Sequence, residues 1–229
     1  MKISSIKRTA KNRLSGNWGK AILVLVIYGV IQGIIHMLLN GPVNNHYTGN
    51  LFLDPTNTTE TVPLGVSSVI QIVTTLLNAL FSYGLIVYFI KIIRDEEKSF
   101  SDLFYYFKSG QQFVRALLVF ILVTIFTILW TILLIVPGII KSLAYSQTGY
   151  ILKDHPEMKP LDAITLSRRM MDGYKWKLFL LGLSFIGWGI LVIITFGLAL
   201  FYVGPYYYAT LAQFYEEVKE AYEEKNETI

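Results

Sequence analysis

The sequence predicts an all-α membrane protein: six transmembrane helices arranged as three hairpin modules, with short interfacial amphipathic helices between them. Three observations carry this. The 229 residues are 53% hydrophobic and only 16% charged, with a mean hydropathy of +0.48, against roughly 25% charged residues in an average soluble domain. The uncharged runs reach the length a bilayer requires, about 17 to 25 residues per helix. The basic residues fall between those runs in a one-sided pattern.

The first module covers residues 1–95, with spans at about 21–39 and 66–90 and an outer polar loop at 40–65. Its leading segment places Ile3, Ile6, Ala10 and Leu14 on one stripe with Lys7, Arg8, Lys11 and Arg13 between them, a composition that suits a helix lying on anionic headgroups. These four basic residues are the expected headgroup contacts. The first apolar segment, about 19 residues long, exceeds the 7 to 15 of a signal-peptide core and lacks a cleavage site, so it is expected to be retained.

The second module covers 96–154, with spans at about 113–134 and 137–152. Ala116 to Leu152 is 37 residues with one charge, Lys141, and Pro137-Gly138 interrupts it. Phe100, Leu103, Phe104 and Phe107 recur at one helical face just before it. The third module covers 155–217, with spans at about 178–196 and 198–215. Leu178 to Tyr215 is 38 residues without Asp, Glu, Lys or Arg. As one helix it would measure about 57 Å, nearly twice the roughly 30 Å hydrocarbon core, so it must fold back. Pro160 can open the leading helix, which carries Leu161, Ile164 and Met171. Residues 218–229 form an acidic tail.

Of the 20 basic residues, 19 lie at the chain ends or between modules, and the outer loop carries Asp54 and Glu60 with no base. The positive-inside rule therefore puts both termini in the cytoplasm. The basic balance is thus a topology signal and not a nucleic-acid surface. A repeat supports the modular reading, because Gly110 to Asp154 and Gly173 to Glu217 have the same 44-residue spacing at a period of 63.

A charge at membrane depth is costly and marks a functional site by default. Lys141 is that charge, expected about 20 Å from the inner surface along one continuous helix. It either holds an anionic headgroup or solute, or snorkels. Gln71, Thr75, Asn78 and Ser82 make a helical polar stripe in the second span, serving as cavity lining or as interhelical hydrogen bonds. The cytoplasmic acids Asp154, Glu157, Asp162 and Asp172 lie among Lys and Arg and read as a solvated face. There is no cysteine, HExxH, GxSxG, P-loop or GxGxxG, so no catalytic residue, metal ligand or cofactor is assigned and no enzyme activity is expected.

At Ser15-Gly16-Asn17-Trp18, at Pro137-Gly138-Ile139-Ile140-Lys141, and from Met171-Asp172-Gly173 through Phe185-Ile186-Gly187-Trp188 to Phe214-Tyr215, the chain resembles a bacterial integral membrane family, the domain-of-unknown-function family numbered 975. That resemblance implies a bacterial plasma membrane and carries over no catalytic residue. Two functions remain open: a non-enzymatic lipid-interacting scaffold or adaptor, with a protein partner at the acidic tail, and a small permease or channel with a polar cavity around Lys141.

Overall fold

The computed structural model describes residues 2–47 and 64–227. Most of the expected outer loop, including Asp54 and Glu60, and the last two residues of the tail lie outside the described residues. Among the described residues all regular structure is helical. The helices are α1 (Ile3–Leu14), α2 (Trp18–Tyr47), α3 (Leu64–Arg94), a 3-10 helix (Phe100–Phe107), α4 (Gly110–Leu133), α5 (Ile135–Tyr145), α6 (Thr148–Asp154), α7 (Pro160–Met170), α8 (Lys175–Leu183), α9 (Ile186–Ile194) and α10 (Leu200–Glu227).

Local chemistry explains several boundaries. The 3-10 helix opens with a capping box, in which the Ser99 amide donates to Asp102 Oδ2 at 2.9 Å and the Ser101 amide to Ser99 Oγ at 3.4 Å. Proline opens α7, which carries Asp162 in its first turn and Arg168 and Arg169 in its last, charges that complement the helix dipole. α9 ends where Phe196 and Gly197 adopt φ of 49° and 90° and the Gly197 amide donates to the Val192 carbonyl at 2.8 Å, a left-handed termination that glycine favours.

Among the described residues four segments, rather than six, are long and apolar enough to cross a membrane: Trp18–Leu39, Gly65–Arg94, Gly110–Leu133 and Lys175–Ile194. Two expected spans fall short for different reasons. The one at 137–152 is broken by a turn at Ser146-Gln147 into α5 and α6, and the 11 residues of α5 rise only about 16 Å. The one at 198–215 lies, from Leu200 on, within the continuous helix α10, but Tyr202, Tyr206, Tyr207, Tyr208 and Tyr215 lower its apolarity.

The core sits at one end of the molecule. α3 is central, with 61% of its most apolar window buried against 6%, 11% and 17% for the other three segments. Around the α3 residues Leu85, Val87, Phe89, Ile90 and Ile92 gather Ile6, Ala10 and Leu14 of α1, Leu103 and Tyr106 of the 3-10 helix, Ile151 of α6, Ala163 of α7 and Ala209, Ala212 and Phe214 of α10. The leading segments are therefore packed against protein on one side. The 3-10 helix rests on α3, α7 on α4, α5 and α6, and α1 on α10. The first and last helices of the chain lie together.

Three apolar tips project from this body. They comprise the outer parts of α2 and α3 (Val30, Ile34, Met37, Leu38; Val66, Val69, Ile72), the α4–α5 turn (Ile132 to Val136), and the α9–α10 turn (Ile193, Ile194, Phe196, Leu198), all exposed. The α4–α5 turn is tight, since a β-carbon on Gly138 would lie 2.8 Å from Thr131 Cα.

Candidate functional site

An ion network joins the ends of α3 and α6 to α10. Arg94, the last residue of α3, donates from Nη1 to Asp154 Oδ1 and from Nη2 to Oδ2, both at 2.7 Å. Its Nε and Nη2 also donate to Glu216 Oε1 at 2.9 and 2.7 Å. Asp154 Oδ2 further accepts from the Tyr215 hydroxyl and from Lys219 Nζ, each at 2.8 Å. Tyr215 stacks on Tyr150 at a centroid distance of 4.8 Å. The ends of α3 and α6 and the middle of α10 thus meet at one carboxylate.

The Asp154 side chain is only 6% exposed, which corrects its reading as part of a solvated face. A carboxylate taken out of water must be paired and fully hydrogen-bonded, and two cations and a phenol supply this. Burial alone would raise its pKa. The hydrogen bonds from Arg94, Lys219 and Tyr215 outweigh that and hold it well below the usual carboxylate range. Glu96 adds a longer contact to Arg94 at 3.9 Å, so two cations meet three carboxylates, and the network acts as a clamp. Of the two acids at matched spacing, Asp154 enters the network and Glu217 does not; its neighbour Glu216 does.

A second ion pair fixes the 3-10 helix, with Lys91 Nζ 2.8 Å from Asp102 Oδ1. At the start of α4, Arg115 donates to the Pro156 carbonyl and pairs with Glu157 at 3.1 Å, tying the beginning of that hairpin to its end. Lys20 of α2 and Lys91 and Asp95 at the end of α3 line one cleft. Tyr174 and Lys177 share another with Tyr222 and Asn226 near the end of α10.

Lys141 lies over the Trp130 ring, with Nζ 4.5 Å from the centroid, a cation–π contact. The turn between α5 and α6 undoes the continuous helix on which its expected depth was calculated. It lines a cleft with Ile140, Ala144, Arg168, Arg169, Asp172 and Lys175. α7 is brought there by Ser167, whose buried hydroxyl donates to the Ala144 carbonyl at 2.8 Å. Four cations face one acid, and Lys175 pairs with that acid, Asp172, at 3.4 Å.

The polar stripe of α3 lies elsewhere. Gln71 and Thr75 line a shallow groove with Ser67 and Ser68, and Lys141 is not part of it. Thr75 donates to the Gln71 carbonyl at 2.8 Å and Ser82 to that of Ala79 at 2.7 Å, so both hydroxyls bond their own helix. Asn78 Oδ1 and, on α2, Gln32 Nε2 are buried without a partner among the described residues.

Of the four α1 cations, Arg8, Lys11 and Arg13 are exposed. Lys7 is turned inward, donating to the Ser184 carbonyl and hydroxyl at 3.2 and 2.9 Å and lying 4.1 Å from the Phe185 ring centroid. Burial pushes its pKa down. Among the described residues no group of His, Asp and Glu is arranged to hold a metal ion.

This arrangement, an all-helical body with an ion clamp and four helices long and apolar enough to cross a bilayer among the described residues, is that of a helical protein compatible with a membrane. The chain belongs to the family described as Protein of unknown function (DUF975), whose pattern matches residues 1–141 and 131–222. No curated protein and no solved structure matches it.

Proposed function

We propose that this is a non-enzymatic, lipid-interacting membrane scaffold of the bacterial plasma membrane, with both termini cytoplasmic and anionic lipid at its inner face. The observation that carries the reading is the ion network. It locks the ends of three hairpins into one body, while the polar groups suited to a solute path, Lys141 and the Gln71–Ser82 stripe, line separate clefts.

A pattern shared by the first and third modules supports the same reading. Ile6, Ala10, Leu14, Ala21 and Val24 are buried, and so are Ala163, Ser167, Met171, Leu178 and Leu181, each 157 residues on. At the same offset Gly16 and Gly173 both have φ of 79°. The leading segment of each module rests on the closing helix of another, and the ring closes when α1 meets α10. The exposed cations of α1 and the acidic end of α10 then face one compartment, available to lipid headgroups and to a protein partner.

Because the chain has no cysteine, single Asn57→Cys and Lys219→Cys variants can be treated with an impermeant thiol reagent on intact cells. Labelling of the first alone is expected. Labelling of Lys219→Cys from outside would overturn the orientation. Solute flux in reconstituted vesicles that disappears in Lys141→Ala would replace the scaffold by a permease.

A further inference from the structure

The three apolar tips differ in how far they extend beyond the nearest charged or interface-type aromatic side chains. From Lys20 to Leu39, α2 runs 19 residues, about 28 Å and close to the thickness of a hydrocarbon core. From Lys141 to Leu134, at the α4–α5 turn, there are seven residues, about 10 Å. The turn at Gly197 is five residues from Tyr202, about 8 Å, and Tyr202 stacks on Trp18 at 4.8 Å, two residues from Lys20.

Gly110–Leu133 and Lys175–Ile194 are each long and apolar enough to cross, but the arms returning from their tips meet Lys141 after about 10 Å and Tyr202 after about 8 Å, and those short returns argue against full crossing by the second and third hairpins. If Leu134 reached the outer surface, Lys141 would lie about 20 Å deep from the inner side, and Arg168, Arg169, Asp172 and Lys175 would be carried there with it. Charges at the bilayer centre are costly. Placed at the phosphate level of the inner leaflet instead, the same charges meet their complement. Arg168 and Arg169 have no ion pair among the described residues. Flanking them are exposed apolar groups of the kind that enter acyl chains: Ile139, Ile140 and Trp176. The 3-10 helix presents Phe100, Phe104 and Phe107 outward, and Phe81 contacts the last two at 5.4 and 4.9 Å. Aromatic side chains of this kind favour the membrane interface.

We propose that only the α2–α3 hairpin crosses the bilayer, and that the α4–α5 and α9–α10 tips are wedges sunk into the cytoplasmic leaflet, where Lys141, Arg168, Arg169 and Lys175 hold the phosphate groups of its anionic lipids. The inference rests on the orientation proposed above. Two short wedges beside one crossing hairpin add volume to one leaflet only, which gives the scaffold a preference for curved or loosely packed membrane.

The test uses Leu134→Cys and Leu198→Cys in the full chain, with Asn57→Cys as the outer reference. On intact cells Asn57→Cys is labelled by an impermeant maleimide and the tips are not; after SDS denaturation all three are labelled. A fluorophore at either tip, in phosphatidylglycerol vesicles, is quenched by lipids brominated along the acyl chain and not by aqueous iodide on either side. External labelling of a tip, or its quenching by iodide, overturns the wedge. Failure of Asn57→Cys to label overturns the orientation separately.

For the phosphate contacts, Arg168→Gln/Arg169→Gln lowers phosphatidylglycerol retention by the detergent-purified protein about fivefold per charge removed, the equivalent of about 1 kcal/mol per basic residue at a surface. Inorganic phosphate at equal concentration does not displace the lipid. Unchanged retention overturns the headgroup assignment, and displacement by phosphate reassigns the site to a free anion.

Discussion

Arg94 and Asp154 meet through two parallel hydrogen bonds of 2.7 Å, joining helices whose ends are 60 residues apart in sequence. Removing one partner leaves a nearly buried carboxylate facing only Lys219 and Tyr215. Loss of a partner from a buried pair costs about 3 to 5 kcal/mol. Arg94 is one-fifth exposed, which places Arg94→Ala at the lower end, about 3 kcal/mol by thermal or denaturant unfolding in mild detergent. Arg94→Lys keeps the charge and loses the fork, so its cost should be smaller. Equal stability of wild type and Arg94→Ala would show that the clamp contributes nothing.

The same carboxylate sets an acid limit. Its folded pKa is depressed, so the unfolded chain binds the proton more readily. The resulting stability is present above the unfolded value of about 3.9 and is lost as pH falls below it toward the folded value. Unfolding temperature should therefore change little through this group between about pH 5 and 8 and drop in acid. Asp154→Asn should be less stable at neutral pH and show a shallower acid slope. A parallel slope in wild type and variant would assign the acid sensitivity to other groups.

Much of the architecture was legible because it rests on period and charge. The apolar runs, the hairpin signal at Pro137-Gly138 and the aromatic stripe Phe100–Phe107 all follow from side-chain chemistry along one segment. The fate of the stripe depended on more than period, because the 3-10 winding buries Leu103 against Gly84 of α3 and leaves Phe100, Phe104 and Phe107 exposed. What composition did not convey was which charges meet across 60 to 120 residues of chain. Asp154 looked solvated because its sequence neighbours are polar, and Lys141 looked deep because the helix break at Ser146-Gln147 carries no proline or glycine to announce it.

Gly16 and Gly173 offer a test of the repeat free of packing effects. Both have φ of 79° and nothing within 4 Å of an added β-carbon. Alanine at either position should cost about 1 to 2 kcal/mol, the penalty for an L residue in the left-handed region, and the two costs should agree. Asparagine, which tolerates that region, should recover part of it. A large cost at one site and none at the other would separate the two modules.

Gly84 is the opposite case, a glycine required by contact. It lies within α3 where the 3-10 helix crosses, and an added β-carbon would stand 2.7 Å from the carbonyl carbon of Leu103 and 2.8 Å from its Cα. Backbone on both sides leaves no flexible side chain to yield. Gly84→Ala should therefore displace the 3-10 helix and cost about 3 kcal/mol, the upper part of the range for overpacking. Gly182→Ala in α8, with open space around the new methyl, should be neutral or gain up to about 1 kcal/mol from helix propensity. Displacement would also stretch the Lys91–Asp102 pair, which is 2.8 Å long in the native arrangement. A cysteine at Leu103, buried in the native fold, should then become reactive to thiol reagents in the Gly84→Ala background and stay protected in Gly182→Ala. Protection in both would mean that the two backbones can separate without releasing the helix.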